Sequence, residues 1–265
     1  RIPSGILPLY NAKVYIPTGD KSPDPPATGV SCDRCDALQQ DFATTTDVNG
    51  NFTLDNIPSG SNIPLIIRVG KWRRVITLPT ITDCTTTALD STQTRLPRTQ
   101  AEGNIPKIAL TTGALDAMEC VLRANKLGLA DSEFTNPAGN GRVNLYAGVT
   151  GTDQYDKGAG TFPTANPWWD SAANWNKYDI VMLSCEGQPS SHDLTKKSVA
   201  ARQAIQSYLG LGGRVFASHW HNVWIQKSVA LPAPAAEPPL TTVAQFIDPI
   251  AMGNGYSNDN TTDEA

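Results

Sequence analysis

The chain has 265 residues, 17% of them charged and 40% apolar, and a formal net charge of −4. That length suits two domains better than one small one, and a balance without concentrated Lys and Arg excludes a nucleic-acid scaffold. No apolar run approaches a membrane span, while 21 Gly, 20 Pro and abundant Thr, Asn and Ser give the composition of an extracellular or cell-surface chain, with the periplasm as the other option.

The sequence opens at Arg1 without Met or an export signal, which points to processing or to a fragment. Up to about residue 95, short alternating runs between frequent turns predict an all-β unit. Residues 13–16 read as a strand. A long loop from Thr18 to about Gln40 carries Cys32-Asp-Arg-Cys35. There is no second C-x-x-C for a zinc ribbon, and Asp36 stands where a c-type haem would need His. The pair is therefore read as a loop clamp, with a disulfide from Cys84 to Cys32 or Cys35 anchoring the long loop. Asn49-Gly50 is a type I′ turn signal and predicts a hairpin over 44–54, with Phe52 and Leu54 on one face. A second hairpin is predicted from 64–69 and 72–78 around Gly70-Lys71.

The runs Pro8-Leu-Tyr-Asn-Ala-Lys-Val-Tyr-Ile16, Thr46-Asp-Val-Asn-Gly-Asn-Phe-Thr-Leu54 and Ile57-Pro-Ser-Gly60 resemble the carboxypeptidase regulatory-like domain. The resemblance implies a small transthyretin-like β-sandwich over 1–96, a non-catalytic folding, spacing or adhesion module on secreted proteins. With its Gly70-Lys-Trp-Arg-Arg74 segment, the whole chain resembles secreted bacterial proteins that carry this module. In that family a full strand precedes the segment matching residues 8–16. Here residues 1–5 are too short to supply it, so an open edge is expected on 13–16 or its neighbour, filled by missing upstream residues or by another copy of the chain.

Residues 97–104 are polar and unpatterned and read as a linker. From 105 to 265 the pattern is α/β. A strand over 105–110 ends in the turn Thr111-Thr-Gly113. A helix follows, capped by Asp116, with Leu115, Met118 and Leu122 as its apolar stripe and Gly128 as its stop. A short strand covers 143–146, and a long loop over 151–176 holds Trp168, Trp169 and Trp175. Then come two apolar runs that stop in polar side chains: 177–183 before Ser184-Cys185-Glu186, and 211–217 before Ser218-His219-Trp220-His221, with a helix over 199–209 between them. Strand, helix, strand gives a parallel sheet whose crossover brings both carboxyl ends to one edge, so Cys185 and His219 are expected as neighbours. The Pro-rich stretch 232–239 is extended rather than helical, and the tail after 253 is loose.

The stretch from Tyr178 to Gly187 and the run Gly212-Gly-Arg-Val-Phe-Ala-Ser-His219 resemble the class I glutamine amidotransferase-like superfamily, and within it the trehalose-utilisation-type (ThuA-like) domains. The resemblance implies a flavodoxin-like three-layer domain with a mainly parallel sheet, here with the option of an early C-terminal end. A working member has a G-x-C-x-G elbow and a Glu two residues after its catalytic His. This chain has Leu183-Ser-Cys185-Glu-Gly187 and His221 at those places.

These residues leave specific alternatives. Cys185 is a nucleophile with His219 as its base, or a buried thiol beside a structural histidine. His219 and His221, with Cys185, Glu186 and His192, are the weak candidates for a zinc set, against edge histidines beside packed Trp220 and Trp224. A Cys120–Cys185 disulfide is a third option for the thiol. Lys71-Trp72-Arg73-Arg74 reads an anionic polymer, or is a hairpin edge with Trp72 packed on a neighbour. Trp168, Trp169 and Trp175 stack on sugar rings, or plug a long loop onto the sheet. The leading expectation is a secreted or surface, non-enzymatic structural or adhesion protein in an extracellular assembly. It needs no cofactor or metal, and its partners are other protein chains, including copies of itself. The alternatives are a cysteine-dependent hydrolase or amidase using Cys185 and His219, and a glycan-binding protein using the three tryptophans.

Overall fold

The computed structural model describes residues 1–17, 25–32, 42–123, 126–187, 196–232 and 238–244. Cys35 and His192 lie outside the described residues, as do most of the Pro-rich stretch and the tail. Among the described residues no helix is long and apolar enough to cross a membrane.

Five strands, Lys13–Ile16 (β1), Phe42–Thr45 (β2), Pro64–Val69 (β3), Trp72–Thr77 (β4) and Gly103–Asn104 (β5), form an antiparallel sheet in the order β2-β1-β3-β4-β5. The β3–β4 hairpin closes as its turn predicts, with Val69 opposite Trp72. Strand alternation puts Val14, Ile16, Leu65 and Ile67 on one face, where they build a core with Leu78, Ile81 and Leu96.

Among these elements one expectation is corrected and two take a more specific form. First, the open edge falls on the neighbour of β1: β2 and β3 pair the two sides of β1, and β2 ends the sheet among the described residues. Second, the hairpin over 44–54 does not form. A turn is present but it is not type I′: Asn49 is not left-handed, Gly50 N–H closes back on the Asp47 carbonyl at 2.9 Å, and the Asp47 carboxylate accepts the N–H groups of Asn49 and Asn51 at 2.9 and 2.8 Å. But β2 spends its pairing on β1, and the segment carrying Phe52 and Leu54 crosses over the sheet as coil. Third, the segment read as a linker ends in a short strand. Gly103 and Asn104 pair with Arg74 and Arg73 as β5, and Glu102 holds Arg95 through two bonds of 2.8 and 2.6 Å.

The second half is a parallel sheet of Ile108–Thr112 (β6), Phe134–Thr135 (β7), Val143–Ala147 (β8), Ile180–Leu183 (β9) and Arg214–Ala217 (β10), in the order β10-β9-β6-β8-β7. Its inner strands are apolar on both faces, as a covered parallel sheet requires. Ala109, Tyr146, Val181 and Leu183 face a core shared with Asn166–Trp169 (α2), Ala172–Trp175 (α3), Val199–Gly210 (α4) and Val223–Gln226 (α5). Ile108, Leu110, Val143, Leu145 and Met182 face a second core with Leu122 of Met118–Leu122 (α1) and with Leu129. The α4 helix starts as expected, with Ser198 Oγ accepting from Ala201 N–H at 3.0 Å. By contrast α1 is a short helix, Leu115 is exposed, and Asp116 is used elsewhere.

The two sheets are joined by the tip of the β3–β4 hairpin. Trp72 packs into the cores of both halves. Lys71, buried, reaches Asp179 at 2.5 Å and the carbonyl of Gly29. Asp179 also accepts Lys107 N–H at 2.6 Å, at the entry to β6. The basic patch is thus a junction, with Trp72 half-buried between the two cores.

Removing one partner of a buried ion pair strands the other charge. Lys71→Met should therefore cost about 3–5 kcal/mol in urea denaturation, and adding Asp179→Asn should restore part of that loss. Separately, the Arg95 side chain holds the Glu102 carboxyl at about 2, below its ordinary 4.5. The stabilisation this gives is complete above the unfolded value and disappears as pH falls through about 2. Glu102→Gln should lower the melting temperature at neutral pH and flatten the acid limb of a melting-temperature–pH profile.

Candidate functional site

The parallel sheet has its switch point between β6 and β9. From β6 the chain proceeds toward β8, and from β9 it proceeds toward β10, so the loops after these two strands part at the carboxyl edge. The loop after β6 brings Asp116. The loop after β9 brings Ser184, Cys185, Glu186 and Gly187, and β10 ends beside them in Ser218 and His219.

Cys185 and His219 meet, as strand order required. Cys185 Sγ lies 3.2 Å from His219 Nδ1. The thiol is buried and the imidazole exposed. His219 takes φ 43°, a left-handed conformation uncommon for a side chain of this size. In the elbow of a working amidotransferase-like site the strained residue is the nucleophile. Here Cys185 is not among the residues with positive φ, and Gly187, two positions on, is, at φ 72°.

The backbone of Cys185 is clamped from the β6 side. Its N–H donates to Asp116 Oδ1 at 2.7 Å, and its carbonyl accepts Leu115 N–H at 3.3 Å. The other Asp116 oxygen accepts the Ser218 hydroxyl. Gly113 is obligatory here: a Cβ would sit 2.1 Å from the Cys185 carbonyl oxygen. One carboxylate thus ties three strand ends together.

Glu186 is locked more deeply. Its Oε2 accepts from Lys197 Nζ at 2.6 Å, and both side chains have no exposed surface. Its Oε1 accepts Val149 N–H at 3.0 Å, and its carbonyl accepts the Thr150 hydroxyl. The Lys197 ammonium also stands 5.0 Å from the Trp169 ring centre and 5.7 Å from that of Trp224, a cation–π arrangement in a dry site.

His221 is the partner the zinc option needed, and its ring nitrogens are taken. Nδ1 accepts from Trp224 Nε1–H at 2.9 Å, which leaves the proton on Nε2 to donate to the Ser184 carbonyl at 2.9 Å. Among the described residues no group of three or more His, Cys, Asp or Glu side chains could hold a metal ion. The three tryptophans of the long loop are buried as well. Trp168 stacks on Trp175 and on Tyr146, each at 4.8 Å between ring centres, and Trp175 Nε1–H donates to the Trp169 carbonyl at 2.9 Å. They plug the loop onto the sheet and leave no open ring face for a sugar. Under this roof burial pushes the Tyr208 hydroxyl up to about 12 and raises that of Tyr146.

The expected disulfides are corrected. Cys32, Cys84 and Cys120 are exposed free thiols and Cys185 is a buried one. The segment before Cys32 is anchored to the α/β half instead: Val30 N–H donates to the Asn176 carbonyl at 2.9 Å, and Gly212 has no room for a Cβ against the Cys32 backbone. The described part of the loop, 25–32, thus packs on the α/β half, while Cys84 lines the cavity over the first sheet. Sequence reasoning also missed Asp116 as a clamp and Lys197 as the partner of Glu186. Asp116 had a usable signal, because it follows the strand paired to β9.

No family model matches the chain, and no curated protein or solved structure matches it.

A thiol-specific maleimide followed by peptide mapping should modify Cys84 and Cys120 at once and Cys185 slowly. Asp116→Ala, which frees the Cys185 backbone, should speed the reaction of Cys185 while barely changing the other two.

Proposed function

We propose that this chain is a non-enzymatic structural or adhesion subunit of an extracellular or cell-surface assembly. In this reading the first half is a sandwich-type, regulatory-like module. It is fused to a flavodoxin-like, amidotransferase-like domain whose old catalytic edge now serves as a structural knot. The observation that carries the reading is the Asp116 carboxylate bound to the Cys185 N–H. The same carboxylate also accepts the Ser218 hydroxyl, so the strand end that carries the buried thiol is clamped to its neighbours rather than left open around a substrate. The strain that a nucleophile elbow concentrates on the nucleophile lies instead on His219. The buried junction at Lys71, Trp72 and Asp179 also suits a part that transmits load between two units more than one that opens around a substrate.

A second reading has one observation in its favour. The 3.2 Å contact from Cys185 Sγ to His219 Nδ1 is the geometry of a thiol and its base in a cysteine-dependent hydrolase or amidase.

The test is direct. Cys185→Ala should leave the melting temperature within a few degrees of wild type and leave any assembly intact. Wild type and variant should be equally inert toward p-nitrophenyl ester and anilide substrates. A burst of product from wild type that Cys185→Ala abolishes would establish the hydrolase and end the structural reading. Fractionation of producing cells should find the chain outside the cytoplasm, and a wholly cytoplasmic pool would remove the surface assignment.

A further inference from the structure

The layer that covers the apolar face of the first sheet is incomplete in a specific way. Two runs of coil make it, 52–59 and 82–89, and they leave a single antiparallel bridge, Gly60 with Ile81, whose bonds measure 2.9 and 2.8 Å. Beyond that bridge the pairing stops. The backbone N–H and C=O groups of 52–57 make no hydrogen bond, and in the other run only Thr82 and Thr85 make one, to each other. Between the runs lies a cavity of about 640 Å³ that both of them line. Its floor is aliphatic, with Val14, Leu65, Ile67, Leu78 and Ile81, and its rim is rich in Thr and Asn. Such a volume falls within the roughly 300–1,000 Å³ of binding pockets. Phe52, Thr53 and Leu54 alternate half-buried, exposed, half-buried, as a strand does.

We infer that this cavity is a strand-addition site, whose occupant is an extended peptide from a partner polypeptide, with apolar side chains at every second position. The backbone argument selects this occupant over a small apolar molecule. A compact apolar ligand would rest on the floor but leave two rows of amides and carbonyls without partners. An inserted strand satisfies both rows and sends alternate side chains against the half-buried Phe52, Leu54 and Leu89, above a floor that is already closed. This also explains why a sequence with a clear hairpin signal at Asn49-Gly50 leaves its second arm unpaired: that arm pairs with the incoming strand. The inference stands independently of how the Cys185 edge is read.

The experiment begins with amide hydrogen exchange on the full chain. Amides of 52–57 and 86–89 should exchange fast while those of β3 and β4 are protected. Slow exchange in the free chain would mean the runs are already paired, and would overturn the proposal. A display library of random peptides of about ten residues, a length that spans a typical strand, is then selected on the chain. Binders should show period-two apolar patterns and slow exchange at both runs. Methylating a peptide nitrogen that faces a wall should weaken binding by up to about tenfold, the effect of one lost hydrogen bond. Thr53→Pro removes a wall N–H that bonds to nothing in the free chain, so it should weaken binding to a similar degree with no change in melting temperature. Concentration-dependent self-association that protects the same amides would identify a second copy as the source of the strand and supports the inference. An empty selection, binders that protect other residues, or binding indifferent to N-methylation would overturn it.

Discussion

Asp179 is the point on which both halves of the molecule rest. It precedes β9 directly, its Oδ2 fixes the backbone at the start of β6, and its Oδ1 holds Lys71 from the tip of the β3–β4 hairpin. A carboxylate this buried is costly unless paired and hydrogen-bonded, and here the pairing partner comes from the other sheet. The charge therefore makes the arrangement of the two sheets specific rather than merely favourable: a slip of the hairpin would leave Lys71 and Asp179 facing apolar walls. Arg142 stands on the same side, 3.9 Å from Asp179, and bonds the Ile105 carbonyl at 2.7 Å. Burial pulls its pKa down from the usual arginine value.

The opposite, carboxyl edge of the same sheet is built on a second buried pair, Glu186 with Lys197. At both edges a carboxylate accepts a backbone N–H on one oxygen and a lysine ammonium on the other, so the charge pair also sets main-chain geometry. At the carboxyl edge this fixes the turn that follows Cys185. The tryptophan roof then has a clear task. Trp169 and Trp224 exclude water from Lys197 and offer it ring faces in exchange, which keeps the ammonium committed to Glu186. Of the three residues that looked like a sugar platform, Trp169 is thus part of the wall of an ion pair.

Much of the α/β half was legible because its signals are local and repeat. Each of β6, β9 and β10 is an apolar run that stops in polar residues, and one crossover rule then places Cys185 beside His219. What could not be read were side chains whose roles depend on a distant partner. Asp116 looks like a helix cap because its neighbours, Leu115 and Met118, mimic a helical stripe. Its actual partners are the Cys185 N–H and the Ser218 hydroxyl, 69 and 102 positions away. In the first half the Asn49-Gly50 signal correctly marked a turn but not what the arm after it pairs with, since turn chemistry fixes the chain reversal and not the identity of the neighbouring strand. The cysteine arithmetic failed for a related reason: an unanchored loop suggested a disulfide, and the anchor is a backbone bond from Val30 to Asn176.

The strain at His219 follows from these fixed points. β10 is held in register with β9, so Ser218 arrives where its N–H meets the Leu183 carbonyl at 3.1 Å and its hydroxyl meets Asp116. Three residues on, His221 must reach under Ser184, and the short 3-10 turn from His219 to Asn222 is the only chain available to make that descent. A left-handed residue at the first position of the turn provides the sharp change of direction. Glycine would do so without strain, but it would give up the imidazole that covers the Cys185 thiol. His219 is therefore held in place by what lies on either side of it, and its contact with Cys185 follows from a backbone path that the buried groups dictate.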